Sequence, residues 1–125
     1  MENLNQTPID EKELNAAEEE AKKDTAGTFT YKMKKPIRYK DKEYTELDFD
    51  FNSLTGRDAL DVENEMMNQG KGAVVVAALN TEYIIRIAAR ACAQPIGSDA
   101  FLKMALFDFN KIKDRTRNFL LRSES

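Results

Sequence analysis

Residues 29 to 51 alternate between apolar and polar side chains with a period of two. Apolar side chains dominate the odd positions of this segment, and charged side chains dominate the even positions. The alternation predicts two half-buried strands joined as a hairpin with one apolar face. A lone hairpin is marginally stable in water, so this face must lie against helices or another subunit. The large apolar residues of the face are Phe29, Tyr31, Met33, Ile37, Tyr39, Leu47, Phe49 and Phe51.

The turn of the hairpin is expected at residues 40 to 42. A three-residue loop at these positions pairs Met33 with Phe49, and it sets a basic strand against an acidic strand on the other face. A two-residue loop at positions 41 and 42 is disfavoured because it mixes the two faces. Pro36 cannot donate a hydrogen bond to the ladder, so it requires an outward edge or a bulge.

The remainder of the chain shows helical spacing and helix-capping signals. Thr55 followed by Asp58 resembles a capping box, and Gly70 to Gly72 end the helix that starts there. The residues Val74 to Val76 are β-branched, which disfavours a helix, but they could still form the first turns of the next helix. The fold class is therefore α+β, a hairpin followed by a bundle of about four short helices. The predicted helices run from Thr55 to about Asn68, from Asn80 or Thr81 to about Ala93, from Ser98 to about Leu106, and from a cap at Asp108 to beyond Leu120.

The first 28 residues differ in composition from the rest. They hold eight acidic residues and three lysines, which gives a net charge of −5. They contain few large apolar side chains, so they cannot bury enough surface to offset chain entropy. We expect residues 1 to 28 to be a mobile acidic leader and residues 29 to 125 to be a single domain. Residues 10 to 23 are good helix formers, and a helix induced there by a partner is plausible.

The composition of the 125-residue chain argues against catalysis. The net charge is −3, histidine is absent and Cys92 is the lone cysteine. The usual general base and the usual metal-binding imidazole are therefore both missing. The longest uninterrupted apolar run, residues 73 to 79, is far too short to span a bilayer. We expect a non-enzymatic, soluble, cytoplasmic protein without a metal or a cofactor.

Several residues resemble functional motifs, but each has a simpler explanation. Lys71 between two glycines lacks the spacing of a phosphate loop. Cys92 lies among alanines, which favours a small buried thiol over a nucleophile. Arg86 and Arg90 are four residues apart and are expected to form salt bridges or face a partner. The acidic residues of the first predicted helix suggest paired catalytic carboxylates, but they fit a solvated face better; they are Asp58, Asp61, Glu63 and Glu65.

The last predicted helix is basic. Four interpretations remain open: a solvated face, contact with an acidic or amphipathic protein, contact with nucleic acid, and screening by the chain's own acidic leader. Met66 and Met67 belong either to the core or to an adaptable partner surface. The basic residues of the helix are Lys111, Lys113, Arg115, Arg117 and Arg122, against a single acid at Asp114.

The order of several short stretches carries a resemblance. They are Pro36 to Leu47, Leu54 to Asp58, Ala93 to Ile96, Leu102 with Met104, Asp108 to Asn110, and Arg117 to Leu121. Over residues 30 to 121, this order resembles the tail assembly chaperones of long-tailed phages, a group that includes the short Mu- and P2-type proteins.

The resemblance implies a non-enzymatic role in the host cytoplasm. Such proteins bind the long, largely helical tape measure protein and keep it soluble until tail tube subunits polymerise around it. They tend to self-associate, and related genes often yield a longer frameshifted product that engages the tail tube protein. We expect the partner contacts at the hairpin face, the methionines and the last helix. The candidate residues are Tyr31, Met33, Phe49, Phe51, Met66, Met67, Lys111, Arg115, Arg117 and Arg122.

Two other classes of function remain open at this point. A structural virion component, such as a tail-completion or connector protein, would remain in the finished particle. A small DNA-binding regulator would use the basic last helix, although the net charge of −3 and the acidic leader disfavour it.

Overall fold

A computed structural model describes residues 27 to 123 of the chain, so most of the predicted leader lies outside the described residues. Within this range an antiparallel hairpin precedes four α-helices, which confirms the predicted α+β fold. The strands are β1 (Thr28–Tyr39) and β2 (Lys42–Asp50), and the helices are α1 (Gly56–Asn68), α2 (Thr81–Ala91), α3 (Ser98–Phe101) and α4 (Leu106–Ser123).

The hairpin turns through two residues, and the predicted three-residue loop is wrong. Lys40 and Asp41 have positive φ angles of 51° and 68°, and Tyr39 pairs with Lys42. Two consecutive residues in this conformation form the tight turn whose twist matches that of the flanking strands. This geometry explains why the loop is shorter than the charge pattern suggests.

The register of the strands also differs from the prediction. Near the open end of the hairpin Phe29 pairs with Phe49, whereas Met33 lies in an irregular segment of β1. Residues 33 to 36 stand against the single residue Thr45. Pro36 therefore lies in a bulge, which is one of the two arrangements that its missing N–H requires. The bulge shifts the register without moving the aromatic residues to the solvent face.

The apolar face of the hairpin packs against the helices of the same chain. Phe49 is 2% exposed and stacks on Phe29 at 4.9 Å between ring centroids. Phe51 stacks on Phe119 of α4, also at 4.9 Å. The helices thus supply the cover that a two-stranded sheet requires. Further core residues come from every helix except α1; they include Ile85, Ala88, Phe101 and Ile112.

A second apolar cluster holds α1 against α2. Val62 and Met66 from α1 meet Tyr83 and Ile87 from α2. Met66 is 1% exposed, so it belongs to this cluster. The capping box predicted at the start of α1 is confirmed, since the backbone N–H of Thr55 donates to Asp58 at 2.8 Å.

Other helix boundaries depart from the sequence-based expectation. Val74 to Val76 precede a short 3-10 turn at Ala77–Leu79 and are not part of α2. The helix that starts at Ser98 ends at Phe101. Helix α4 begins at Leu106, which places Asp108 inside its first turn and makes the predicted cap wrong. Within residues 27 to 123, no helix has the length and apolar character needed to cross a membrane.

Candidate interaction surface

A groove of about 520 Å³ runs between β1 and α4. Four of its side chains are basic and one is acidic, so we call it the basic groove. It is lined by Tyr31, Lys32, Lys34, Phe107, Lys111, Asp114, Arg115 and Asn118.

Asp108 fixes the two walls of the basic groove relative to each other. Its carboxylate accepts the backbone N–H groups of Lys34 and Lys35 at 2.9 and 3.0 Å and the hydroxyl of Tyr31 at 2.5 Å. The two amides belong to the bulge in β1, where the strand ladder is interrupted. The bulge thus donates hydrogen bonds to α4 instead of to β2. Asp108 lies in the first turn of α4, where negative charge is favoured by the helix dipole.

The ionisation of Asp108 follows from these contacts. The side chain is fully buried, and burial on its own would raise the pKa of the carboxyl group. The hydrogen bonds from Tyr31, Lys34 and Lys35, together with the charge of Lys34, outweigh burial and hold the pKa below its ordinary value. Asp108 is therefore ionised, and the chain itself supplies its hydrogen-bond donors.

Three cations of the basic groove lie over aromatic rings, two over Phe107 in its wall and one over the buried ring of Phe29. The ammonium groups of Lys34 and Lys111 lie 4.2 and 5.8 Å from the ring centroid of Phe107. At the other end, the guanidinium of Arg115 lies 4.4 Å from the ring centroid of Phe29. Aromatic faces attract cations within about 6 Å. The rings therefore hold the positive charges along the groove.

The predicted partner contacts on the hairpin face are wrong for three residues. Met33, Phe49 and Phe51 are 8%, 2% and 2% exposed. A partner cannot reach them without separating the hairpin from the helices. Tyr31 is partly buried and uses its hydroxyl to bind Asp108, so it contributes to the wall of the basic groove.

The two adjacent methionines point in different directions. Met66 lies in the core between α1 and α2, and the prediction that it contacts a partner is therefore wrong. Met67 is 56% exposed and remains a candidate.

The basic residues of α4 do not form one surface. Lys111 and Arg115 line the basic groove, and Arg122 lies exposed near the end of the helix. Arg117 is about 3.9 Å from Asp114, and its Nε is buried without a hydrogen-bond partner among the described residues. Lys111 and Arg115 are consequently the members of the predicted set that the fold brings together.

The acidic residues of α1 pair with the arginines of α2, whereas the sequence favours a solvated face for them. Arg90 contacts Asp58 at 2.8 Å and Glu65 at 3.3 Å, and Arg86 contacts Glu65 at 3.4 Å. The salt bridges expected for the two arginines are thus present. The pKa of Asp58 is lowered, first by the Thr55 backbone N–H and then by Arg90. These carboxylates join the two helices.

Cys92 is a partly buried thiol at the edge of β2. Burial raises the pKa of Cys92 to about 11, which leaves the thiol protonated and unreactive at neutral pH. Its neighbour Ala93 donates a backbone hydrogen bond to Asp48 at 2.8 Å, so this segment extends the sheet locally. Among the described residues, no cluster of three or more potential ligands could hold a metal ion.

Sequence reasoning missed Phe107 and Lys34 as parts of the surface. Phe107 precedes the apolar stripe of the last helix, and Lys34 belongs to the polar face of the hairpin. The junction between α3 and α4 also exposes two leucines that the sequence does not assign to a partner surface, Leu102 at 77% and Leu106 at 71%. Only the packing of α4 on β1 reveals that these residues share one region.

Comparisons of the chain with family models, with curated proteins and with solved structures give no match.

Proposed function

We propose that this protein is a tail assembly chaperone of a long-tailed phage. In this role it binds the tape measure protein in the host cytoplasm and keeps it soluble until the tail tube polymerises. It acts by binding alone, without a cofactor, and associates with further copies of itself. The resemblance over residues 30 to 121 supports the family, and the surface of the folded chain supports a binding function.

The observation that carries the binding function is the exposed apolar junction between α3 and α4. Leu102 and Leu106 are 77% and 71% exposed, and Phe107 beside them is 49% exposed. Neighbouring side chains form a shallow hollow of about 180 Å³ that includes Ile85 and Phe109. Apolar side chains at helical spacing on a partner can dock on such a surface. Repeated weak contacts along one long partner then add up through multivalency.

Co-expression tests this function. The full chain is produced together with the tape measure protein of the phage that this proposal implies, and the soluble fraction of the tape measure protein is measured. We expect that protein to be largely soluble with the chain and aggregated without it. The double variant Leu102→Asp with Leu106→Asp should lose most of the effect, because charged side chains oppose apolar docking.

The matched control carries the same chemical change on the loop between α1 and α2. Val75 and Leu79 are 89% and 77% exposed, so Val75→Asp with Leu79→Asp alters equally exposed apolar positions. This control should keep the tape measure protein soluble. Equal solubility with and without the chain would refute the proposal. Recovery of the chain in purified particles would favour a structural virion component, and salt-sensitive binding to duplex DNA would favour a regulator.

A further inference from the structure

We propose that the part of the acidic leader that precedes Gly27, residues 1 to 26, binds the basic groove of its own chain. The groove presents Lys32, Lys34, Lys111 and Arg115. The leader carries eight acidic residues and three lysines, a net charge of −5. The inference does not rest on the proposed function, because it concerns two parts of one chain.

The point of attachment places the leader beside the groove. The leader joins the domain at Gly27, whose carbonyl accepts the backbone N–H of Phe51 at 2.7 Å. Two residues later, the ring of Phe29 lies against Arg115, which lines the groove. One end of the basic groove therefore lies next to the point where the leader joins the domain.

The leader is long enough to reach the whole groove. On α4, the nine residues from Phe107 to Arg115 span about 12 Å, at a rise of 1.5 Å for each step. Extended chain covers about 3.3–3.6 Å per residue, so acidic side chains seven to nine residues before Gly27 reach about 23–32 Å. These side chains are Glu18, Glu19 and Glu20.

The chemistry of the groove suits carboxylates. Among the described residues that line it, Asp114 is the one carboxylate, and it forms an ion pair at 3.9 Å with Arg117, which does not line the groove. The two ammonium groups at Phe107 are positioned by the ring, so less side-chain entropy is lost when a carboxylate binds.

Tethering makes a weak contact sufficient. A short flexible linker gives an effective concentration of about 1 mM, so a groove affinity near that value yields about half occupancy. A separate acidic protein or a nucleic acid must compete with this tethered segment. The leader of a second copy of the chain must compete with the tethered leader in the same way.

Paramagnetic relaxation in the full chain tests the inference. A spin label is attached at Asn15→Cys in a Cys92→Ala background, and backbone amide signals are recorded by NMR. At about 0.02 M salt, we expect the amides of Lys32, Lys34, Lys111 and Asn118 to lose half or more of their intensity. At about 0.5 M salt the signals should recover, because screening shortens the reach of charge interactions.

Two paired variants supply the control. Lys34→Gln with Lys111→Gln neutralises the groove, and Lys71→Gln with Lys103→Gln removes the same charge at exposed positions outside it. We expect the first pair of substitutions to reduce the signal loss at least threefold and the second pair to leave it unchanged. Thermal unfolding curves verify that both variants are folded. Absent or uniform broadening, or broadening centred on another face, would overturn the inference. Broadening that appears in a mixture of labelled chain and separate isotope-enriched chain would overturn it too, because the contact would then join two molecules.

Discussion

Carboxylates hold helix α4 against the hairpin and helix α1 against α2. The two contacts differ in the burial of the carboxylates and in the groups that they bind. At the first contact one fully buried carboxylate, Asp108, accepts three hydrogen bonds from β1. At the second, half-exposed carboxylates such as Asp58 and Glu65 meet Arg90 at the surface. Water cannot replace a hydrogen bond that the buried Asp108 loses. Water can solvate the charged groups of the surface ion pairs when one partner is removed. The first contact therefore fixes geometry, and the second adds modest stability.

The largest expected effect is that of Asp108→Ala. It leaves two backbone N–H groups and the Tyr31 hydroxyl, which are partly buried, without their acceptor, and each group left unsatisfied costs up to about 1–3 kcal/mol. We expect a loss of about 3 kcal/mol or more in the free energy of unfolding, measured with chemical denaturant. Asp114→Ala on the exposed side of α4 is the control and should change it by less than about 0.5 kcal/mol. A loss below about 1 kcal/mol for Asp108→Ala would remove the contrast between the two contacts.

The pH dependence of unfolding sharpens the same contrast. The pKa of Asp108 is lowered from its ordinary value of 3.8 in the folded chain. Its carboxylate therefore contributes stability above that value, and this contribution is lost as the pH falls through the lowered folded pKa. We expect Asp108→Asn to flatten the loss of stability below about pH 4, relative to Asp114→Asn. Parallel acid-unfolding curves for the two variants would show that the Asp108 carboxylate does not make this contribution to stability.

Arg90→Ala tests the second contact. We expect it to cost about 1 kcal/mol, because the ion pairs are partly exposed. The cost should shrink at about 1 M salt, where screening acts over about 3 Å, whereas the cost of Asp108→Ala should hardly change. Unfolding curves for both variants at low and high salt measure this difference. An Arg90→Ala effect that is as large and as salt-independent as that of Asp108→Ala would show that the contacts are alike.

The smallest effect is expected at the hairpin turn, outside both contacts. Asp41 adopts a φ of 68°, which glycine tolerates without steric strain. Asp41→Gly should therefore raise the free energy of unfolding by about 0.5–1 kcal/mol in the same denaturant assay. Destabilisation by this substitution would indicate that the turn differs from the one described.

The sequence predicts the hairpin and the start of α1 because their signals are local. The period-two alternation marks the inner face of the strands, and Thr55 caps α1 together with Asp58, which lies three residues further along the chain. The register of the hairpin is not a local property. The bulge depends on Asp108, which receives the amide of Lys34 from 74 residues away in the chain.

The candidate surface was harder to predict for the same reason. An aspartate before an apolar run fits a helix cap, and the alternative role of Asp108 appears only when β1 lies against α4. Phe49 and Phe51 suggest a partner surface when the hairpin is considered alone, but the helices cover them. The basic character of the last helix is enough to predict Lys111 and Arg115 as surface candidates. Their neighbour Phe107 is recognised only from the groove in the folded chain.

Direct binding of purified components tests the central proposal most simply. The full chain is mixed with the solubilised tape measure protein and followed by sedimentation velocity, with the Val75→Asp, Leu79→Asp variant as the matched control. The proposal predicts a soluble complex that contains several copies of the chain for each tape measure protein, and loss of that complex with Leu102→Asp and Leu106→Asp. Sedimentation of the two proteins as separate species, or an unaltered complex with the junction variant, would contradict it.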